Sequence, residues 1–270
     1  MSTVDVTVPP GVTAEMGFAD YVPLLKDIAP LYLGFYALYY VSGFLSGILF
    51  DSYDKLDAAT RAYWRSSVVS SVHAVLVVKL ALDGAAALEM WTTDDFFGSS
   101  PESSRANRVF LSYLAYDLTN VLYWRKRWSG WKATAIHHAM GLVCWTTIET
   151  RGVAHVLGIT AILTEITTPF VNTRWFLAET GLKKSVLYIV NGLVMTLLWF
   201  VFRILLFIWL GFRLYAMRFA LFAIPPDQSN VIELSFVIGF ALQVFWFRKI
   251  AKGAYKTLAG GGGGGKKKAA

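Results

Sequence analysis

Long apolar runs, each carrying a few polar residues, follow one another from about residue 28 to residue 252. Run length is the signal, since about 20 apolar residues match the roughly 30 Å hydrocarbon core of a bilayer. Seven runs are read as transmembrane helices: Ile28–Phe50, Tyr63–Met90, Asn107–Trp124, Ala133–Thr150, Val153–Leu177, Val186–Leu210 and Val231–Ile250. The expected fold is an all-α polytopic membrane protein. Pro30 falls in the first turn of the first run, where a missing N–H does no harm. Leu214–Ile224 reads as a helical extension or an interfacial piece, ended by Pro225 and Pro226. Asp94–Ser104 reads as a polar loop. Residues 1–27 form a polar tail with no basic region ahead of an early apolar run, so no cleavable signal peptide is expected.

Composition agrees with that pattern. The chain is 56% hydrophobic and 16% charged, whereas soluble domains are about a quarter charged. The net charge of +7 sits in short loops and the tail, so no nucleic-acid partner is expected. Basic residues gather on alternate sides: Lys55, Arg61 and Arg65, then Arg125, Lys126, Arg127 and Lys132, then Arg174, Lys183 and Lys184, then the tail. An excess of basic residues marks the cytosolic side. The N-terminus is therefore expected in the lumen and the C-terminus in the cytosol. In the tail, residues 253–270, a glycine run makes a flexible spacer before Lys266. Lys267 and Lys268 stand where a dilysine endoplasmic-reticulum retrieval signal would, an address read by the COPI coat. The alternative is a solvated basic tail. Cys144, the single cysteine, excludes a disulfide framework and reads as a packing residue.

Against this apolar background the ionisable residues carry the candidate chemistry. His137 and His138 are adjacent in the fourth run. Neighbours on a helix point about 100° apart, so at least one needs a partner on another helix. Histidine suits proton transfer, nucleophilic attack or metal ligation near neutral pH. No metal is expected, because the chain has only four histidines and lacks clustered thiolates. Tyr113, Asp117 and Asn120 share one face of the third run, and Glu165, Thr168 and Asn172 one face of the fifth. Pro169 is expected to interrupt the fifth helix and free the Glu165 carbonyl. His73 is the lone histidine of the second run, and Lys79–Asp83 reads as a structural i, i+4 pair. Arg203 needs an acid or a headgroup, with Glu165 and Asp117 as candidates. Arg174 either meets a phosphate or snorkels. The candidate catalytic set is His137, His138 and Asp117. The candidate substrate contacts are His73, Tyr116, Asn120, Glu165, Asn172, Arg174 and Arg203.

Four pieces on successive runs carry a resemblance: R-S-S-V-V-S-S-V-H-A at Arg65–Ala74, Y-D-L-T-N at Tyr116–Asn120, I-H-H-A-M-G at Ile136–Gly141 and T-E-I-T-T-P-F-V-N-T-R-W at Thr164–Trp175. Over about Arg61–Lys252 the chain resembles the TLC-domain family, which includes the translocating-chain-associating membrane protein and the ceramide synthases. The resemblance implies a six-helix TLC core (61–252) around a lipid-accessible cavity, preceded by one extra helix (28–50). In ceramide synthases the tandem histidine, matched by His137 and His138, is taken as catalytic for acyl transfer from acyl-CoA to a sphingoid amine. Their downstream H-D-x-S-D block is absent, and the Glu165–Trp175 run stands in its place. The resemblance thus implies a protein that binds or processes acyl lipids. Its partners would be membrane lipids, an acyl chain or a sphingoid base. Acyl-CoA would be the co-substrate, with no bound cofactor. The competing readings are a non-catalytic regulator of membrane lipid composition and a cargo receptor between endoplasmic reticulum and Golgi.

Overall fold

A computed structural model describes residues 6–260. Lys267 and Lys268 lie outside the described residues. Within them the chain forms nine helices: α1 (Pro10–Thr13), α2 (Phe18–Leu49), α3 (Ala58–Ala87), α4 (Pro101–Tyr123), α5 (Trp131–Arg151), α6 (His155–Glu179), α7 (Val186–Ala216), α8 (Arg218–Ala223) and α9 (Pro226–Gly260). Among the described residues, five helices are long and apolar enough to cross a membrane: α2, α3, α6, α7 and α9. The architecture is that of a multi-pass helical membrane protein.

α4 and α5 span 23 and 21 residues but are too polar to join those five by composition. α4 packs against α2, α3, α5 and α6 and buries polar side chains as well as apolar ones. A helix sheltered by protein can keep ionisable groups that lipid would exclude. The outer surface is apolar instead: Phe44 and Ile48 on α2, Leu187 and Leu197 on α7, and Val237 and Phe245 on α9 are exposed.

Several boundaries differ from the expected ones. α2 begins at Phe18, so Pro23 and Pro30 both lie inside the helix rather than Pro30 in its first turn. The early start is capped by Asp20, whose carboxylate accepts the Gly17 N–H at 2.8 Å. Each proline removes one backbone bond, a loss that bundled membrane helices re-satisfy locally. α9 runs on to Gly260, through positions assigned to the flexible tail. Leu214–Ile224 divides between the end of α7 and the short α8, with the break at Met217.

Two helices depart from α geometry where they face each other. α6 tightens into a 3-10 turn at Leu163–Thr167, and α7 widens into a π turn at Phe200–Leu205. The 3-10 turn corrects one expectation. The Glu165 carbonyl is not freed by Pro169 but accepts the Thr168 N–H, because the tightened turn pairs i with i+3.

Polar contacts close the two ends of the bundle. At the N-terminal end Gln228 Nε2 donates to the Val12 carbonyl at 2.8 Å, and Arg151 to that of Ala14 at 2.6 Å. Arg213 ties α7 to the Asp94 carboxylate at 2.8 Å and to the Met90 and Thr93 carbonyls. At the other end Trp128 Nε1 donates to the Ala59 carbonyl at 3.0 Å, just after Asp57 caps α3.

Candidate active site at the histidine pair

The adjacent histidines turn to different faces of α5, with their ring centroids 5.5 Å apart. His138 Nδ1 lies 3.2 Å from Asp117 Oδ2 on α4, at ion-pair distance but without the alignment of a hydrogen bond. Asp117 is oriented in turn by Ser66 of α3, whose hydroxyl donates to Oδ1 at 2.8 Å. His137 turns to the other face, where its ring meets the Trp246 ring edge-on at 5.5 Å.

Each side opens on a different space. On the His137 side a cavity with an empty volume of about 870 Å³ lies among α4, α5, α6, α7 and α9. Its polar end carries His137, Thr164, Glu165 and Gln243. Leu114, Met140, Phe207, Leu210 and Phe236 line its flank, and Ile148, Ala154, Leu214 and Ile232 its far end. From His137 to Ile148 the cavity follows α5 for about 16 Å at the 1.5 Å rise of a helix. On the Asp117 side a polar pocket of about 510 Å³ is lined by Ser66, Ser67, Ser70, Tyr113, Asp117, Thr134 and Asn172. His137 thus lines an apolar slot, and Asp117, the neighbour of His138, lines a hydroxyl-rich pocket.

The polar end of the cavity is built by the two non-α turns. The π turn presents Arg203 to the 3-10 turn, where its guanidinium lies 3.4 Å from Glu165 Oε1. It also donates to Thr167 Oγ1 at 2.7 Å, Thr168 Oγ1 at 3.1 Å and Gln243 Oε1 at 3.3 Å. Its face covers the Trp199 ring at 4.5 Å. Glu165 rather than Asp117 is therefore the acid that Arg203 meets. Thr168 holds the other carboxylate oxygen of Glu165 at 2.7 Å.

The remaining candidates divide by position. Asn172 donates to the Ser67 carbonyl at 3.1 Å and to Ser71 Oγ at 3.0 Å, bracing the polar pocket. Asn120 donates to the Tyr116 carbonyl at 3.1 Å and borders neither space. Tyr116 is buried under the α2 rings, 4.9 Å from Tyr36. His73 is fully buried and stacks on Tyr113 at 3.8 Å, with neither ring nitrogen hydrogen-bonded. His73 and Tyr116 line neither space. Arg174 lies on a separate groove between α6, the N-terminal end of α7 and the C-terminal part of α9. Lys79 and Asp83 do pair, at 2.6 Å. Cys144 is buried with a free thiol.

Sequence reasoning passed over three parts of this arrangement. Gln243 and Trp246 sit in the last apolar run, where a lone glutamine was a legible signal. The serine face of α3 is spelled out in Ser66, Ser67 and Ser70, which were read only as part of a motif. A second polar cluster joins Asn107 and Arg108 to Glu149 at 2.9 and 3.0 Å, with the fourth histidine, His155, beside them. Among the described residues no group of three His, Cys, Asp or Glu is placed to hold a metal ion.

Comparison with known proteins gives the family of the chain. The pattern of the TLC domain matches residues 63–252. The chain is 31% identical over 252 residues to TLC domain-containing protein 4-B of Xenopus laevis, covering 89% of this chain and 93% of that one. It is 29% identical over 230 residues to TLC domain-containing protein 4 of Homo sapiens, covering 82% and 85%. A third relative, TLC domain-containing protein 4-B of Danio rerio, is 29% identical over 249 residues, covering 86% and 89%. With a domain match running from α3 to α9 and relatives aligned along most of their length, the chain belongs to the TLC-domain family.

Proposed function

We propose that the protein binds an acyl lipid in the endoplasmic-reticulum membrane and that its histidine pair serves acyl transfer. The carrying observation is the placement of that pair, with His137 on an apolar slot and His138 beside Asp117, which lines a polar pocket. An acyl chain in the slot would bring its carbonyl to the pair from one side. A polar acceptor in the pocket would meet it from the other.

In this reading α4 and α5 complete seven spans, with the N-terminus lumenal and the C-terminus cytosolic. The alternation of basic loops supports that topology. The acyl donor is an acyl-CoA, and the acceptor an amine or hydroxyl such as that of a sphingoid base. The acceptor adds to the thioester carbonyl while His138 removes its proton as general base. Asp117, held by Ser66, keeps the imidazole in place and balances its positive charge. Collapse of the adduct breaks the carbon–sulfur bond, and the coenzyme A thiolate takes up the proton. Arg203 neutralises Glu165, so a carboxylate can stand at the cavity end without repelling the polarised carbonyl.

The test is an assay of acyl-CoA and a sphingoid base with purified protein, following release of the coenzyme A thiol. His137→Ala and His138→Ala should abolish turnover while the protein stays folded. Asp117→Asn should reduce it by about 10²–10⁴-fold, the range that general acid–base catalysis supplies. Full activity in both histidine variants would sink the catalytic assignment. A wild type that carries lipid without turnover would make the protein a non-catalytic regulator of membrane lipid composition. The cargo-receptor reading rests on Lys267 and Lys268 alone.

A further inference from the structure

Where the N-terminal end of α7 meets the C-terminal part of α9 and the end of α6 lies another groove, with an empty volume of about 840 Å³. Two cations line it, Arg174 and Lys249, and no carboxylate does. Arg174 donates to the Tyr188 carbonyl at 3.2 Å, and its guanidinium lies 4.0 Å over the Tyr188 ring. Gly192 makes that seat, because a Cβ there would run into the guanidinium. Lys249 lies 4.0 Å over the Phe245 ring. Among the described residues neither cation forms an ion pair. Aromatic faces hold a cation without neutralising it. Both charges therefore remain available to an anion, and phosphate oxygens are among the acceptors that Arg and Lys bind strongly.

Helices α7 and α9 lead from this groove to the histidine pair. One turn beyond Thr196 on α7, and one turn before Lys249 on α9, Trp199 and Trp246 meet edge-on at 6.4 Å. Trp199 Nε1 donates to the Gln243 carbonyl at 3.3 Å. On the far side of the tryptophans stand His137, 5.5 Å from Trp246, and Arg203, over Trp199. Groove, tryptophan pair and acyl cavity follow one another along one seam. Along α6, Arg174 lies about 14 Å from Glu165 at helical rise. The rest of the groove is apolar, with Met195, Ile250 and Ala254 among its walls. Leu193, Leu197 and Phe245 on the flanking helices are exposed as lipid-facing residues are. An anion held here would bring its own apolar chain.

We infer that this seam is a lateral portal for a membrane phospholipid. Arg174 and Lys249 hold its phosphate, and an acyl chain passes the Trp199–Trp246 pair into the cavity. The inference rests on the proposal that the cavity takes an acyl chain, and it names the lipid class.

The experiment uses the full-length protein in detergent micelles and measures binding of dioctanoyl phosphatidylglycerol and of dioctanoylglycerol, which has the same chains and no phosphate. Wild type should prefer the phospholipid by about tenfold, the contribution of one charge-assisted hydrogen bond. The double variant Arg174→Gln, Lys249→Gln should lose that preference and still bind dioctanoylglycerol, which shows that the cavity is intact. Gly192→Val, which keeps both charges and unseats Arg174, should lose most of it as well. Equal binding of the two lipids by wild type, or a preference that survives in the double variant, would overturn the portal and leave the acyl-cavity reading standing. Displacement of the phospholipid by inorganic phosphate as readily as by itself would overturn the lipid assignment in favour of a soluble phosphate. If neither lipid binds, both readings fall.

Discussion

Replacing Arg203 with methionine tests the pairing of the two non-α turns. The change deletes the guanidinium and keeps an apolar stem. Arg203 is 6% exposed and donates to Thr167, Thr168, Gln243 and Glu165. Hydrogen bonds within a membrane bundle average about 0.6 kcal/mol each, so these four set a floor of about 2 kcal/mol. The stranded Glu165 carboxylate raises the figure, because removing one partner of a buried ion pair costs about 3–5 kcal/mol. Arg203→Met should therefore destabilise the bundle by about 2–5 kcal/mol. Adding Glu165→Gln removes the stranded charge. The double variant should be more stable than Arg203→Met alone, with a coupling of about 1–3 kcal/mol between the two sites. The assay is equilibrium unfolding in mixed micelles, followed by far-ultraviolet circular dichroism, for wild type, both single variants and the double. If the single effects add to within about 0.5 kcal/mol, Glu165 and Arg203 are not energetically coupled and the reasoning from their geometry fails.

Other perturbations address separate links. Gly239 faces the cavity, and a side chain there would place its Cβ no closer than 3.5 Å to the Phe207 ring. Gly239→Leu should thus fill the slot and reduce co-purified lipid, measured by mass spectrometry, without lowering the thermal midpoint. Asp57 caps α3 by accepting the Ala59 and Thr60 N–H groups at 2.8 and 3.0 Å. Asp57→Ala should cost about 1 kcal/mol in the unfolding assay and leave lipid content unchanged. Glu149→Ala strips Asn107 and Arg108 of their shared acceptor and removes the carboxylate 3.8 Å from His155. It should cost about 1–3 kcal/mol, and a smaller loss would show that water replaces the carboxylate. Replacing Lys267 and Lys268 with serine should release part of the cellular population beyond the endoplasmic reticulum, and imaging that shows no change would remove the retrieval signal.

Much of this protein was legible in the sequence because the bilayer is a strict solvent. Apolar runs long enough to cross hydrocarbon had to be helices, and helix order followed from their spacing, although α2 and α9 run past their expected ends. The rarity of ionisable residues in those runs pointed to His137, His138, Asp117, Glu165 and Arg203 without knowledge of any contact. Periodicity also placed Asp117 and Asn120 on one face of α4, and both are buried there.

The tertiary structure decided which of those residues meet. Arg203 had two candidate acids on different helices, and only packing chose Glu165 over Asp117. That choice depends on a 3-10 turn in α6 and a π turn in α7, which shift side chains off the 100° steps that a sequence wheel assumes. His73 and Tyr116 carried the same polar signature as the site residues, yet the rings of α2 and α4 seal them away from both cavities. Sequence marks where a polar group interrupts an apolar run. Whether the group faces a cavity, a partner or a wall of aromatic rings depends on helix rotation and neighbours, and those are fixed by contacts between segments far apart in the chain.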